Sequence, residues 1–572
     1  MTMTRTHSTR VGASVLAAWI LAISAPYARA QWSDNPIPVC VAPGNQRPVW
    51  VAADGQGGAI VAWEDGRPGG SSGIYAQRIS HAGVPLWTSN VVHLPLGLVS
   101  GFGAAVSDRQ GGALVACNPG CCGGMFAQRV GPDGQLLWPA EGVAIPATPR
   151  NMSFPAWVAD GSGGGIITWL DGRGMGCDVY ANRLMSDGRL RWPADGIPIR
   201  VGVCDSSIWM PYDRPAPSAA SDGSGGGIIC WTDYGQEWPA IFAQRVDSMG
   251  VAQWAANGVA VCDVPGAIKM RPVADADGAG GALIAWQDTR ITQYHVFVQR
   301  IDANGQALWS PGGQTVDSTY GVQGLLEQTI VSDGSGGALV AWSRAVSGEG
   351  GRYVQRISAA GTALWSPNGV LVSAPVDVLG SGLVSDGDGG AICTWLEPSG
   401  GAYRLLAQHI DGDGHVLWEP GGILVASCAR VPLREGNAAV EDGTGAVITA
   451  WEQGGTSDVD LYAQRATLGG PTASVEPQIS ARDLSVSIAP NPSRGATVFS
   501  AMSARSQAAC IAIFDLQGRR VRDLGSFLLG PASQAIRWDG LDSNSRPVGP
   551  GIYLVHLTSG SDARSVRLAL VR

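Results

Sequence analysis

The sequence predicts an all-β protein: an eight-bladed β-propeller over residues 31–465, closed by its own N-terminal strand, then a small immunoglobulin-like β-sandwich over 483–572. Three observations predict it. Gly (81) and Pro (35) together make up about a fifth of the 572 residues, which leaves little room for long helices. A phrase that begins Asp-Gly-x-Gly-Gly or a close variant returns eight times. The residues just after the expected signal sequence match the part of the repeat that its last copy lacks. With 45% apolar and only 15% charged residues, the chain has too much buriable surface to stay disordered.

Residues 1–30 read as a secretory signal cut before Gln31. Arg5 and Arg10 give a basic start, Val11 to Ser24 an apolar stretch, and Ala28-Arg29-Ala30 a small-residue exit. That stretch is short for a membrane span, and no later one reaches the length of a transmembrane helix. Removing Arg5, Arg10 and Arg29 takes the formal charge from -9 to -12, so a phosphate backbone would be repelled and nucleic acid is a poor partner. An odd cysteine count, 11, leaves at least one thiol outside any intramolecular pair. Cys40, Cys204, Cys262 and Cys428 fall at one position of the repeat and read as small buried residues. Cys121 or Cys122 with Cys177 is the better candidate for a disulfide. No Cys or His spacing suggests a metal, and no cofactor motif is present.

The repeated Asp stands at 54, 108, 160, 222, 277, 333, 386 and 442, a period of about 55 residues, in the range of propellers and arrays. Each unit has four short segments rich in Val, Ile, Trp and Tyr, which favours strands. The first ends at the Asp, the second is Ala59 to Trp63 in the first unit, the third is Ile74 to Ile79, and the fourth is expected to begin near Leu86-Trp87. Asp-Gly-x-Gly-Gly supplies the positive φ angles of a tight hairpin. In the second strand Ala59, Val61 and Trp63 point one way while Ile60 and Ala62 point the other. An antiparallel sheet apolar on both faces has to be sandwiched between neighbours.

The eighth unit stops after Gln464-Arg465 without its Leu-Trp strand. Gln31-Trp32, Val39-Cys40 and Pro43-Gly44 match Gln253-Trp254, Val261-Cys262 and Pro265-Gly266 at identical spacing, and Arg47-Pro48 matches Arg271-Pro272 with two residues fewer before it. The N-terminal segment is therefore expected to complete the last sheet and leave no open edge. The repeat also accounts for 15 of the 21 tryptophans, so packing between blades explains them better than a sugar-binding array does. The Arg of the recurring Ala-Gln-Arg phrase is expected to pair with Asp or a carbonyl within or between blades.

Variable loops between second and third strands, and between one unit and the next, share one face of the disc, where binding usually resides. The longest deviation brings Trp209, Met210, Tyr212, Asp213 and Arg214, and the next loop brings Tyr234, Glu237 and Trp238. Lying outside the repeat, these are the candidate ligand-binding residues (Trp209, Tyr212, Asp213, Arg214, Tyr234, Trp238), suited to a sugar or peptide. Asp65, Asp171, Asp233 and Asp288 lie on the same face. A pair of them could cleave glycosides, but their recurrence favours strand-end hydrogen bonding. Asp386-Gly-Asp388 and Asp411-Gly-Asp413 read as turns, and the Gly69–Gly73 match to G-x-S-x-G lacks a strand-to-helix context.

The phrases Ala62-Trp63-Glu64-Asp65-Gly66-Arg67, Ile74-Tyr75-Ala76-Gln77-Arg78 and Leu86-Trp87 resemble repeats of exported bacterial propeller proteins. After a linker (466–482), the tail contains Pro490-Asn491-Pro492, Ile513-Phe514-Asp515-Leu516-Gln517-Gly518-Arg519, Trp538-Asp539-Gly540 and Gly551-Ile552-Tyr553. It resembles the FlgD-like immunoglobulin domain and the related type A C-terminal sorting domain of the type IX secretion system. That resemblance implies export across the outer membrane and contact between residues 483–572 and the secretion machinery. The family often ends in Lys-rich strands; here the end is Arg567-Leu568-Ala569-Leu570-Val571-Arg572, in a chain whose single lysine is Lys269.

The functional expectation is a secreted or outer-surface propeller of a Gram-negative-type bacterium that binds a polysaccharide or an extracellular protein. A carbohydrate-active hydrolase or lyase on the same scaffold, or a structural envelope component, are the alternatives. His81, His93, His295, His409 and His415 form no recognisable catalytic arrangement, which weighs against the enzyme.

Overall fold

The computed structural model describes residues Trp32 to Leu570, leaving out 33–35, 43, 68–72, 88–91, 97–102, 119–123, 146–151, 174–175, 206–215, 292, 318–326, 345–349, 401, 429–437, 455–458, 468–484, 490–496, 503–506, 516–518, 530–533, 545 and 560–561. The expected signal sequence, most of the expected linker, and Gly69 to Ser72 of the G-x-S-x-G match lie outside the described residues. The chain divides into two compact units, Met1–Ala473 and Ser474–Arg572. No helix occurs among the described residues, and none is long and apolar enough to cross a membrane.

The first unit is β-propeller-like and built from four-stranded antiparallel sheets. Sheet 1 runs Gln46–Ala53, Ala59–Asp65, Gly73–Ile79 and Val92–Leu94, each strand pairing with the next in sequence. Sheets 2 to 7 repeat this order over 103–145, 152–205, 218–262, 269–315, 329–371 and 379–428. Sheet 8 takes Ala438–Glu441, Val447–Gly454 and Val459–Ala466 from one end of the unit and Ile37–Cys40 from the other, with Ile37 opposite Ala463 and Pro38 opposite Tyr462. The first strand of each sheet packs against the first strand of the next, and Ala438–Glu441 packs against Gln46–Ala53.

The faces follow the alternation in the sequence. Ala59, Val61 and Trp63 join a core cluster with Ile448, Ala450 and Leu461 of sheet 8, whereas Ile60 and Ala62 join one with Ala113 and Val115 of sheet 2. Both clusters are almost wholly withdrawn from water, so burial between sheets drives the stacking.

The hairpin phrase adds a polar lock. Asp54 Oδ1 accepts the amides of Gln56 (2.8 Å) and Gly58 (2.7 Å), and Oδ2 accepts Arg78 Nε at 2.9 Å. A Cβ on Gly58 would stand 2.2 Å from the Ile79 carbonyl oxygen, so only glycine fits there. The pair recurs as Arg129–Asp108, Arg183–Asp160, Arg245–Asp222, Arg300–Asp277, Arg356–Asp333 and Arg465–Asp442, and sheet 7 substitutes His409 opposite Asp386. The same Arg also reaches the following sheet: Arg78 Nη1 donates to Pro132 O at 3.1 Å.

Tryptophan donates to that same carbonyl. Trp87 Nε1 meets Pro132 O at 2.9 Å, and Trp138, Trp254, Trp309 and Trp365 donate to Ser186, Ala303, Ala359 and Gly412 in the sheets that follow theirs. Trp32 continues the series, donating to His81 O of sheet 1 at 2.9 Å. These bonds correct the expected start of the fourth strand. Trp87 N donates to Gln77 Oε1 (3.1 Å) and its indole leaves the sheet, so Leu86-Trp87 forms a bend and the strand begins at Val92.

The second unit is a β-sandwich. Ser485–Ala489, Thr497–Met502 and Gln534–Trp538 form one sheet; Arg520–Leu529, Gln507–Asp515, Gly551–Ser559 and Asp562–Leu570 form the other. Phe499, Ile511, Ile513, Trp538, Val555, Leu557 and Leu568 fill the space between them. Tyr553 Oη donates to Gly549 O at 2.7 Å, a local tie of the kind that fixes corners in immunoglobulin-like sandwiches.

Candidate functional site

Of the six residues expected to bind a ligand, Tyr234 and Trp238 are described; Trp209, Tyr212, Asp213 and Arg214 lie outside the described residues. Tyr234 and Trp238 share the loop between the second and third strands of sheet 4. Its base is locked: Asp233, 1% exposed, accepts Arg200 Nε from sheet 3 at 2.9 Å and the Gly235 amide at 2.9 Å. Tyr234 N donates to Val203 O at 2.7 Å, which fastens the loop to the last strand of sheet 3. Beyond this base Gly235, Gln236 and Glu237 are exposed, and Trp238 stands 41% exposed. The structure thus places Tyr234 beside the strand that leads into 206–215, and presents Trp238 to solvent.

The strand-end carboxylates are structural. Asp65 accepts the Trp63 indole at 3.2 Å and the Arg67 guanidinium, and Asp171 accepts Trp169 (3.0 Å) and Arg173 (2.6 Å). Asp288 repeats this with Trp286 and Arg290. Arg67, Arg173 and Arg290 in turn lie over Tyr75, Tyr180 and Phe297 at 4.4, 3.5 and 4.1 Å from the ring centroids. With 0% exposure, none of these three carboxylates reaches a glycosidic bond, which agrees with strand-end hydrogen bonding.

Burial pushes the Asp65 and Asp171 carboxyls up, but hydrogen bonds from Arg67 with Trp63, and from Arg173 with Trp169, outweigh it and hold both below the usual range. A depressed folded-state pKa gives stability that is present above the ordinary carboxylate value and lost as pH falls through the depressed one. Urea midpoints are therefore expected to stay level down to about pH 4 and fall below it. In Asp65→Asn that acid-side slope is expected to be shallower, which a urea series at several pH values measures.

The cysteines divide. Cys40 and Cys262 are buried free thiols beside Asp65 and Asp288. Cys177 is disulfide-bonded and lies opposite Cys204 in the ladder, while Cys121 and Cys122 lie outside the described residues. Asp411, Asp413 and His415 come within 4.8 Å of one another on an exposed turn, where Asp411 Oδ1 accepts the amides of Asp413 (3.0 Å) and His415 (2.8 Å).

One cluster was missed by sequence reasoning. Sheet 6 carries Arg344 in the slot that holds Asp65, Asp171, Asp233 and Asp288 elsewhere. Its carboxylate partner is Asp317, just after the last strand of sheet 5, at 3.2 Å. His295 Nδ1 meets the other oxygen of Asp317 at 2.8 Å, and all three side chains are buried. The charge has switched sides of the joint between sheets. Beside it, Gln287 Nε2 donates to Gln328 Oε1 (2.8 Å), and Glu327 and Arg271 adopt φ values of 42° and 55°. The signal was present in the sequence as a break in register: an Arg where the repeat has Asp.

No family model matches the chain, and no curated protein matches it. Among solved structures, it is similar to a polysaccharide lyase described as an ulvan lyase, bound to a GlcA(1-4)Rha3S saccharide. That match has 11% identity and a TM-score of 0.40, covering 66% of this chain and 96% of that one. It is also similar to PorZ, a bacterial surface component of the type-IX secretion system of Porphyromonas gingivalis, with 11% identity, 93% and 71% covered and a TM-score of 0.26. A third is an α-L-arabinanase of Penicillium chrysogenum complexed with arabinobiose, with 15% identity, 57% and 98% covered and a TM-score of 0.31. Superpositions this loose fix no activity.

Proposed function

We propose that residues 31–465 form an eight-bladed β-propeller, closed by its N-terminal strand, that binds a polysaccharide or an extracellular protein through its variable-loop face. In this reading residues 1–30 direct export, and residues 483–572 act as a FlgD-like, type IX sorting domain that brings the protein out of the cell or onto its surface. The sandwich with its Tyr553 corner and the pairing of Ile37–Cys40 with Val459–Ala466 support the two halves of this reading.

The observation that carries the binding function is Trp238. The repeat tryptophans are consumed by packing: Trp63, Trp169, Trp231, Trp286, Trp342, Trp395 and Trp451 are fully buried, and the Trp87 series is tied to neighbouring sheets. Trp238 stands exposed on a loop whose base is fixed by an ion pair between half-buried Arg200 and buried Asp233. A rigidly based aromatic surface suits stacking against a sugar ring or a peptide side chain.

The test is a glycan and protein array probed with the full chain, followed by titration of the best ligand. Trp238→Ala is expected to weaken binding about tenfold or more, the scale of a lost central aromatic contact. Unchanged affinity in Trp238→Ala and Trp209→Ala would remove this face from consideration. A release assay on the same sugars separates a binder from a hydrolase or lyase.

A further inference from the structure

Three residues before the Gln of the recurring phrase, each third strand carries a slot that faces the next sheet. Sheets 1 to 5, 7 and 8 fill it with Ile74, Met125, Val179, Ile241, Val296, Leu405 and Leu461, each no more than 1% exposed. Sheet 6 fills it with Arg352, which is 0% exposed. Seven sheets stack well with an apolar side chain here, so the fold itself does not require a charge. Burying a guanidinium is costly unless it is both hydrogen-bonded and neutralised.

The protein meets half of that requirement. Arg352 Nη1 donates to Glu327 O at 3.0 Å and to Ser343 Oγ at 3.1 Å. Nε and Nη2 find no oxygen acceptor among the described residues. These two nitrogens share one edge of the planar group, so their N–H bonds run side by side toward a single point, the geometry that receives one anion. Among the described residues no carboxylate pairs with Arg352: the Glu327 carboxylate is held by the Gly380 amide at 2.7 Å. Cys393 of sheet 7 lies beside the guanidinium as a weak sulfur partner, but burial pushes its thiol up more than the charge and hydrogen bond of Arg352 draw it down, so it stays neutral and supplies no countercharge.

We propose that the Nε/Nη2 edge of Arg352 holds one small monovalent inorganic anion, of chloride size, between sheets 6 and 7. A water molecule would accept the two N–H bonds yet leave the charge unbalanced, whereas a halide does both. The full burial of Arg352 excludes a polysaccharide carboxylate or sulfate as the occupant. The anion is thus a structural ligand that joins two sheets at the variable-loop end of the disc.

The test uses the full chain in sodium chloride and in sodium gluconate at equal ionic strength. Because a ligand of the folded state raises stability with the logarithm of its concentration, the thermal midpoint is expected to rise by about 2–5 °C over a hundredfold increase in chloride. Arg352→Met, which restores the apolar slot, is expected to melt at the same temperature in both salts. Bromide-soaked crystals should give an anomalous peak within hydrogen-bonding distance of Nε and Nη2. Equal wild-type midpoints in the two salts, an Arg352→Met variant that keeps the chloride dependence, or a bromide-free edge occupied by water would each overturn the proposal. If Arg352→Met fails to fold, the wild-type salt comparison and the bromide peak still decide it.

Discussion

Truncation of residues 31–44 is expected to remove at least about 5 kcal/mol of stability, or to prevent folding, because it deletes a strand and its side chains from a finished core. Trp32, Val39 and Cys40 are buried at 2%, 5% and 7% exposure among Val61, Trp63, Leu461 and Ala463. Losing a buried Trp alone costs about 3–5 kcal/mol in comparable substitutions. The Val459–Ala466 strand would also present an unpaired edge, which favours association with other chains. The measurement is thermal unfolding and sedimentation of the truncated chain, then the same after adding a peptide of residues 31–44. Lower stability with aggregation, reversed by the peptide, is the expected result; a truncated chain that melts with the wild type contradicts it.

Asp108→Ala is expected to cost about 3–5 kcal/mol, the scale for breaking a buried ion pair by removing one partner. Asp108 is 0% exposed and accepts Arg129 Nε at 2.9 Å, Arg129 Nη2 at 2.8 Å, and the amides of Gln110 and Gly112. Its loss strands a guanidinium whose side chain is only 7% exposed, and leaves the Gly112 amide without its acceptor inside the sheet joint. The exposed pair Asp187–Arg189 serves as control, and Asp187→Ala should leave the urea midpoint where it was. A small effect at Asp108 would mean that the repeated Asp shapes the turn without securing the sheet.

Much of the propeller-like unit was legible because its chemistry is local and periodic. A hairpin needs glycine, a sheet covered on both sides needs apolar residues on both, and a repeated Asp beside a repeated Arg needs a reason to recur. The fourth strands were harder: Gln314–Thr315 and Val370–Leu371 have two residues each, too few to show any alternation. In the tail, Arg520–Leu529 is hard to read as a strand because it lies at a sheet edge with nearly all side chains at least partly exposed, so its sequence carries no apolar stripe. For the candidate site, Trp238 could be singled out because it falls outside the pattern. Arg344 and Arg352 could not be found from the constant residues, since both are departures visible only when the eight copies are set in register.

The bonds that the Trp87 and Arg78 series make to backbone carbonyls of a neighbouring sheet run in one sense, from a sheet to its successor, with Trp32 donating to His81 across the chain ends. A joint built this way has a giving side and a receiving side, like links in a chain of hooks and eyes. No joint is privileged by where the polypeptide happens to start, so moving the termini to another outer turn and splicing the old ones would leave the set of joints intact. If the sheets close into the proposed ring, dropping one would by contrast bring together partners whose angles were set for a wider wheel. On that proposed ring, relocating the chain ends would cost far less than changing the number of spokes.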